Sequence, residues 1–129
     1  MKEIRVPSDT IKFIFAFLGE GTRFAVDKPK IESAIYTLSQ DPTLSSLFRD
    51  FIFDTSRIYP HTETVNHALD RLQLAGLLVM VGWKEFEVSK ALSQSDPSTL
   101  FSEAEIAQLK EAADKFYKII WANNLKKVT

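Results

Sequence analysis

PHTETVNHALDRLQLAGLLVMVGWKEFEVSK, residues 60–90, is the stretch that decides the fold of this chain. Thr62 can cap a helix, because its hydroxyl can accept a hydrogen bond from one of the first free backbone N–H groups. Gly76 can end that helix, since glycine readily adopts the left-handed conformation found after many helix C-termini. Apolar side chains recur between these two residues with helical spacing, at Val65, Ala68, Leu69, Leu72 and Ala75. The pattern predicts one amphipathic helix over residues 62–75.

A β-hairpin is predicted directly after this helix. Residues 77–81 form a continuous apolar run, and residues 82–84, Gly-Trp-Lys, can turn the chain. Residues 85–89 then alternate, so that Phe86 and Val88 point inward and two glutamates point outward. Helix, glycine stop and hairpin together predict a predominantly helical α+β domain.

Two further helices are predicted before this stretch. The first begins at Ser8 or Asp9, either of which can act as a cap, and ends at Leu18, just before two closely spaced glycines. Its apolar side chains lie on two sides, so it must be covered on both. Residues 22–26 are predicted to be extended and lead to Asp27, which can cap the second helix.

The connection from the second helix to the deciding stretch contains two shorter elements. Asp41-Pro42 breaks the second helix, because proline lacks a backbone N–H and clashes with the preceding turn. Residues 42–49 are predicted to form a short helix, and residues 51–53 a brief strand or turn.

A polar loop over residues 93–101 is predicted to separate the hairpin from a long last helix over residues 102–124. Ser102 and Glu105 can form a capping box at its start. Its apolar stripe is wide and consists of Ile106, Leu109, Ala113, Phe116 and Ile120, flanked by Tyr117 and Trp121. A stripe of this width favours packing back onto the same domain. The alternative is a homodimer through this C-terminal helix.

The composition restricts the class of protein. The chain has 129 residues, of which 45% are hydrophobic and 26% charged, as is typical of a single globular domain. We therefore expect one domain over residues 1–129, with its core and hairpin in residues 8–92. The chain has no cysteine, which excludes disulfides and thiolate metal sites and fits a cytoplasmic location. The longest apolar run is far shorter than the roughly 20 residues of a membrane helix, so we expect no membrane partner.

The order of helix, short helix, capped helix and two-stranded wing resembles the winged-helix superfamily. Within it, the runs SSLFRDFIFDTSRIYPHTETVNHALDRLQLAGLL and FSEAEIAQLKEAADKFY look like a group of bacterial domains called Panacea or SocA-like. The resemblance extends over residues 11–117. It implies a winged helix-turn-helix with a small β-hairpin wing and a long C-terminal helix, and an antitoxin-like or adaptor-like role. It assigns no functional residue.

The winged-helix resemblance also implies an alternative function, DNA-binding transcriptional regulation through helix 62–75 and the wing. The candidate DNA-binding residues are Asn66, His67, Arg71, Lys84 and Lys90. Affinity for DNA depends largely on Lys and Arg neutralising phosphates. The helix offers a single arginine beside Glu63 and Asp70, and the two lysines of the wing lie beside two glutamates. With a net charge of -1, the chain has no basic block that would favour DNA.

A binding surface for another protein typically has an aromatic anchor outside the core. Trp83 is the first candidate, because it lies at the predicted turn of the hairpin. Two interpretations are open for it: an exposed anchor, or a lid that folds over Phe86 or the last helix. Tyr59 and Arg57, just before the helix, are the next candidates, although local packing would also explain them. The charge balance favours a protein partner over DNA.

Residues suited to catalysis or metal binding do not form a recognisable set. His61 and His67 are the only histidines, and their spacing does not place them on one helical face. Both are predicted to be surface histidines, because a metal needs three or four ligands. Asp50 and Asp54 are predicted to lie on a solvated rim with neighbouring arginines. We therefore expect a non-catalytic protein that binds no cofactor and no metal.

Overall fold

The structure is a computed structural model that describes residues 5–128, with side chains described for residues 5–121. It is an α+β fold that consists mainly of helices. Five α-helices lie in the described chain: α1 Pro7–Ala16, α2 Lys28–Ser39, α3 Glu63–Leu74, α4 Lys90–Ser93 and α5 Glu103–Val128. The three strands are β1 Arg23–Ala25, β2 Leu78–Val81 and β3 Glu85–Val88. This confirms the predicted fold class at the level of a predominantly helical α+β domain.

The strands form a small antiparallel sheet in the order β1-β3-β2. Phe24 of β1 and Met80 of β2 both pair with Phe86, so β3 is the central strand. The backbone N–H of Gly21 donates to the carbonyl of Val88 at 2.9 Å, which prolongs the pairing beyond β1. The segment predicted only to be extended before α2 is therefore the third strand of the sheet.

The core joins the sheet to the first and last helices through phenylalanine side chains. Phe15 of α1 has its ring centroid 4.9 Å from that of Phe24 and 5.5 Å from that of Phe116 in α5. Phe24 in turn lies 5.7 Å from Phe86. Helix α5 contacts both α1 and α2, so the predicted folding back of the C-terminal helix onto the domain is confirmed.

Helix α1 begins earlier than the sequence indicated. Val6 is the N-cap, and a proline fills the first helical position, where its missing N–H costs nothing. The predicted caps Ser8 and Asp9 are therefore wrong. Asp9 acts from within the first turn, where its carboxylate accepts a hydrogen bond from the Val6 N–H at 2.9 Å. The helix ends at Ala16 instead of the predicted Leu18.

Helix α3 follows the prediction closely. The Thr62 hydroxyl accepts a hydrogen bond from the backbone N–H of Thr64 at 3.4 Å, as expected of a cap. Gly76 follows the helix with a φ of 73°. Four residues of the predicted stripe are buried, Val65, Ala68, Leu69 and Leu72, whereas the fifth, Ala75, is the exposed C-cap. The helix therefore presents the face that the spacing predicts to the core.

The connecting segments differ more from the predictions. A 3₁₀ helix, Ser45–Phe48, replaces the short helix expected over residues 42–49. Residues 51–53 form no strand; the Phe53 ring instead packs edge-on against Tyr36 at 5.1 Å between centroids. The predicted loop over 93–101 is also more ordered than expected, because α4 reaches into it and a second 3₁₀ helix covers Pro97–Thr99.

Helix α5 begins with the predicted capping box. The Ser102 N–H donates to the Glu105 carboxylate at 2.9 Å, and the Glu105 N–H donates to the Ser102 hydroxyl at 3.2 Å. Tyr117 and Trp121, which were expected to widen the packed stripe, are instead exposed and stack on each other with centroids 6.3 Å apart. No helix of the described chain combines the length and the apolar character needed to cross a membrane.

Candidate binding surfaces

The tip of the hairpin holds the most exposed tryptophan of the described chain. Gly82 and Trp83 both have positive φ angles, 57° and 70°, as a type I′ hairpin turn requires of its two central residues. Trp83 is the only described non-glycine residue with positive φ, a conformation that costs an L-residue roughly 1–2 kcal/mol. Its side chain is 89% exposed. Of the two interpretations of Trp83, the lid over Phe86 or the last helix is therefore wrong.

Further apolar side chains are exposed along strand β2 and at the end of α3. No charged residue lies between Arg71 and Lys84 in the sequence. Within this stretch, Val79 is 45% exposed and Met80 40% exposed. Leu74, the last residue of α3, is 89% exposed. Exposed apolar side chains thus occur from the end of α3 to the tip of the hairpin, with Val79 and Met80 on opposite faces of β2. We name this set of residues the hairpin surface and define it as Leu74, Val79, Met80 and Trp83.

The outer face of α3 carries three of the candidate DNA-binding residues. His67 and Arg71 are exposed and line a groove of about 350 Å³ between α3 and the start of α1. The Arg71 guanidinium donates to the Ser8 hydroxyl across this groove at 3.3 Å. Asp70 lines the same groove, so an acidic side chain lies beside the basic side chain of Arg71. This face is mixed in charge, as the sequence indicated.

Asn66, the third residue of this group, is half-buried and does not point freely outward. Its side chain hydrogen bonds to Glu63, which contributes to the lowered pKa of that carboxyl group. Its amide oxygen is buried and has no hydrogen-bond partner among the described residues. Asn66 is therefore directed along the helix surface and not toward a base edge.

The remaining basic candidates lie on separate elements. Lys84 follows the hairpin turn, and Lys90 is the first residue of α4; both are exposed. Arg57 lies in the loop before α3 and forms an ion pair with Asp54 at 3.2 Å. This ion pair matches the salt-bridged rim expected around Asp54.

A second site of interest is the contact of His61 with two carboxylates, which we name the histidine clasp: Glu32, His61 and Glu63. His61 Nδ1 lies 2.9 Å from Glu32 Oε2, and Nε2 lies 2.8 Å from Glu63 Oε1. The Glu32 side chain is 1% exposed and that of His61 12% exposed. The prediction of a surface histidine is therefore wrong for His61, whereas His67 is exposed as predicted.

The electrostatics of the histidine clasp favour a charged imidazole. The hydrogen bond to Glu63 raises the pKa of His61 above its usual 6.5, and the buried Glu32 carboxylate adds to this effect against the cost of desolvation. The same contact with His61 lowers the pKa of Glu63. Two carboxylates can both be satisfied by one imidazole only when each ring nitrogen carries a proton. The protonated clasp thus joins α2, the loop before α3 and the first turn of α3.

Tyr59 and Arg57 lie on the loop that the clasp holds. The Tyr59 ring is half-buried and approaches His61 edge-on, with ring centroids 6.4 Å apart. The backbone of this loop also pairs with itself, because the Asp54 N–H donates to the His61 carbonyl at 2.7 Å. Local packing therefore accounts for Tyr59, and the ion pair with Asp54 accounts for Arg57. The predicted partner-binding residues are not brought together: Trp83 lies on the hairpin, and the other two lie on this loop.

Two features escaped the sequence reasoning. Glu32 is buried next to the apolar stripe of α2. In the sequence, only its position three residues before the core residue Ile35 indicated that it lies on the buried face of the helix. The exposure of Leu74, Val79 and Met80 was not predicted, although the long uncharged stretch that contains them was visible in the sequence. Among the described residues, no group of three His, Asp or Glu side chains has an arrangement that could hold a metal.

Comparison of this chain with protein-family models, with curated proteins and with solved structures gave no match.

Proposed function

We propose that this protein is a non-catalytic bacterial winged-helix module in the cytoplasm that regulates through protein-protein interaction, in an antitoxin-like or adaptor-like role. The winged-helix assignment is supported by the order α1, β1, α2, α3, β2, β3 and by the sheet order β1-β3-β2. In this proposal, β2 and β3 are the wing and α3 is the helix that precedes it.

The observation that carries the proposal is Trp83, 89% exposed at the tip of the hairpin with a φ of 70°. A large aromatic side chain that is fully solvated gains nothing from the core of its own chain. A bulky residue held at positive φ also costs stability, and strain of this kind is concentrated at functional sites. Burial of such a residue by a partner is typical of the hot spots of protein interfaces.

Capture of binding partners tests this proposal. The tagged wild-type protein and the variants Trp83→Ala and Trp121→Ala are used to isolate proteins from a bacterial lysate, and the bound proteins are quantified by mass spectrometry. Trp121 is a matched control, because it is an exposed tryptophan that lies on helix α5 and not on the hairpin. We expect at least one partner to bind the wild type and the Trp121 variant and to be lost from Trp83→Ala. Equal recovery of every protein by all three baits would rule out Trp83 as the anchor.

The alternative is a DNA-binding regulator that uses α3 and the wing. Arg71, Lys84 and Lys90 favour it, because all three are exposed cations near the elements that winged-helix proteins direct at DNA. Glu63 and Asp70 on the exposed surface of α3 oppose it, since they repel phosphates.

Fluorescence polarisation with a random-sequence DNA duplex separates the two functions. At about 50 mM salt, a DNA-binding protein should bind with micromolar affinity that falls steeply as salt is added. We expect no binding under these conditions. Salt-sensitive binding that is weakened by Arg71→Ala or Lys84→Ala would instead favour the alternative.

A further inference from the structure

The groove between the start of α1 and the outer face of α3 has the composition of a small-molecule site. Its volume is about 350 Å³, which lies within the range of cavities that bind small ligands. Val6 and Pro7 supply its apolar lining. The polar side chains that line it are those of Ser8, Thr64, His67, Asp70 and Arg71. An apolar wall with a few polar groups directed at one space is typical of ligand sites.

Helical spacing brings the polar groups of α3 to one side of the groove. Thr64, His67 and Arg71 are separated by three and four residues, so they share one face of the helix. At 1.5 Å per residue, Thr64 and Arg71 lie about 10 Å apart along the helix axis. Ser8 lies opposite on α1, where its hydroxyl accepts a hydrogen bond from Arg71 Nη1 at 3.3 Å. The groove is therefore long enough for a ligand of several heavy atoms.

Arg71 and Asp70 bring two opposite charges to this groove without neutralising each other. Both side chains are exposed, and neither forms an ion pair with any described residue. Successive residues of a helix do not face each other, which explains why these two side chains do not pair. By contrast, Arg23 and Arg57 each contact a carboxylate of their own chain. The groove therefore offers both a cation and an anion to a ligand.

We propose that this groove binds a small zwitterion with an aliphatic group, of the chemical class of the free aliphatic amino acids. The Arg71 guanidinium binds the carboxylate of the ligand, because its planar N–H groups match the two carboxylate oxygens. The Asp70 carboxylate accepts hydrogen bonds from the ammonium group. Val6 and Pro7 contact the aliphatic group. This site lies apart from Trp83 at the hairpin tip, and it does not rest on the proposed function.

The balance of charge opposes a ligand with a single charge. Asp70 repels a simple anion such as phosphate, and Arg71 repels a simple amine. An adjoining groove of about 180 Å³ has the same balance, because Asp9 and Lys12 both line it. The terminus of a peptide carries only one of the two charges, whereas a free amino acid carries both on neighbouring atoms. Charge complementarity therefore favours a free amino acid over a segment of another protein.

The expected affinity is low, because both charged side chains of the groove are exposed to water. Exposed ion pairs contribute little to binding, since solvent screens them and the long side chains lose entropy. A ligand with few heavy atoms also has a low upper limit on its binding free energy. We therefore expect a dissociation constant on the order of millimolar.

Titration with L-leucine, followed by two-dimensional NMR of the backbone amides, tests the site. Isocaproate is leucine without the ammonium group, and isoamylamine is leucine without the carboxylate. We expect leucine to shift the amide signals of Ser8, Thr64 and His67 and to leave the indole signal of Trp83 unchanged. Each analogue loses one of the two ionic contacts, so we expect it to bind about three- to tenfold more weakly than leucine.

Two variants assign the charges of the ligand to their partners in the groove. In Arg71→Ala, leucine should bind no more tightly than isoamylamine, because the partner of the carboxylate is gone. In Asp70→Ala, leucine should bind no more tightly than isocaproate, because the partner of the ammonium group is gone. Lys84→Ala and Glu20→Ala are the matched controls, since they remove exposed charges that do not line the groove. Both should bind leucine as the wild type does.

Three outcomes would overturn the amino-acid site. These are an absence of amide shifts with leucine up to about 50 mM, equal binding of leucine and its two analogues, and leucine binding that is unchanged in both groove variants. Residues 1–4 directly precede Val6 and are the competing occupant of the groove. Leucine binding that appears only after deletion of residues 2–4 would therefore overturn the site as well. None of these outcomes removes the proposed function, which depends on Trp83-dependent capture of another protein.

Discussion

The hairpin surface exposes apolar side chains that proteins usually bury, whereas the histidine clasp buries a carboxylate that proteins usually expose. Trp83 and Leu74 are apolar and each 89% exposed, whereas Glu32 is charged and 1% exposed. The clasp satisfies its buried charge with a histidine and a backbone N–H, so its groups need nothing from outside. The hairpin surface has no such partner within the described chain. The buried Glu32 is therefore accounted for by contacts that hold the fold together, whereas the exposed apolar side chains of the hairpin surface indicate a binding role.

The largest effect on the free energy of unfolding is expected from Glu32→Ala, which removes the buried carboxylate of the clasp. The substitution removes the carboxylate that contacts His61 Nδ1 and accepts from the Thr62 N–H at 3.3 Å. Loss of a buried charged partner leaves polar groups unsatisfied, so we expect a loss of about 2–4 kcal/mol in the free energy of unfolding. Urea denaturation measures it. Glu63→Ala is the matched control, because this carboxylate is largely exposed and should matter much less. Equal losses from the two variants would mean that burial of Glu32 is not what matters.

A smaller change in the free energy of unfolding, in the stabilising direction, is expected from Trp83→Gly. Glycine adopts a φ of 70° without strain, so the substitution should raise the free energy of unfolding by about 0.5–1 kcal/mol, after allowance for the greater entropy of unfolded glycine. Partner binding should be lost at the same time. The neighbouring Gly82→Ala is the control, since alanine at a φ of 57° should destabilise by about 1 kcal/mol. A Trp83→Gly variant that is less stable than the wild type would show that the tryptophan packs against its own chain.

The smallest effect concerns pH and the protonation of His61. Its pKa is raised in the folded chain, so its contribution to stability is fully present below pH 6.5 and is lost as the pH rises through the folded pKa. The Glu63 pKa is lowered from 4.5, so its contribution is present above pH 4.5 and is lost as the pH falls through the folded pKa. The clasp should therefore stabilise most between these values.

Thermal unfolding of the wild type and of His61→Asn between pH 4 and 9 measures this contribution. The difference in Tm between the two proteins should be greatest near pH 5.5 and shrink toward pH 9. His67→Asn is the control, because this histidine is exposed and lies outside the clasp. A difference in Tm that is independent of pH would show that His61 acts by shape and not by charge.

The sequence predicted helix α3 and the hairpin because both follow from local rules. Thr62, Gly76 and the spacing of the apolar residues between them act within a few turns of chain, and the structure has the helix where they place it. The start of α1 was missed because Val6, which has no capping side chain, takes the position next to a proline. The capping preferences of Ser8 and Asp9 indicated a later start than the one at which the helix begins.

The candidate sites were harder to predict, because exposure and pairing are properties of distant parts of the chain. Trp83 could be placed at a turn from the sequence, but its solvation depends on whether α5 covers the hairpin. The pairing of Glu32 with His61 joins residues 29 positions apart. No spacing rule reaches that far.

By itself, the sequence determined helix α3, the hairpin, the capping box of α5 and the absence of a thiol, because each depends on neighbouring residues or on composition. Only the tertiary structure decided that residues 23–25 join the sheet beside β3, that Glu32 and His61 meet in the interior, and that Leu74, Val79 and Met80 remain at the surface. The physical reason is that burial is set by what packs against a residue. That depends on how all the elements are arranged around one shared core.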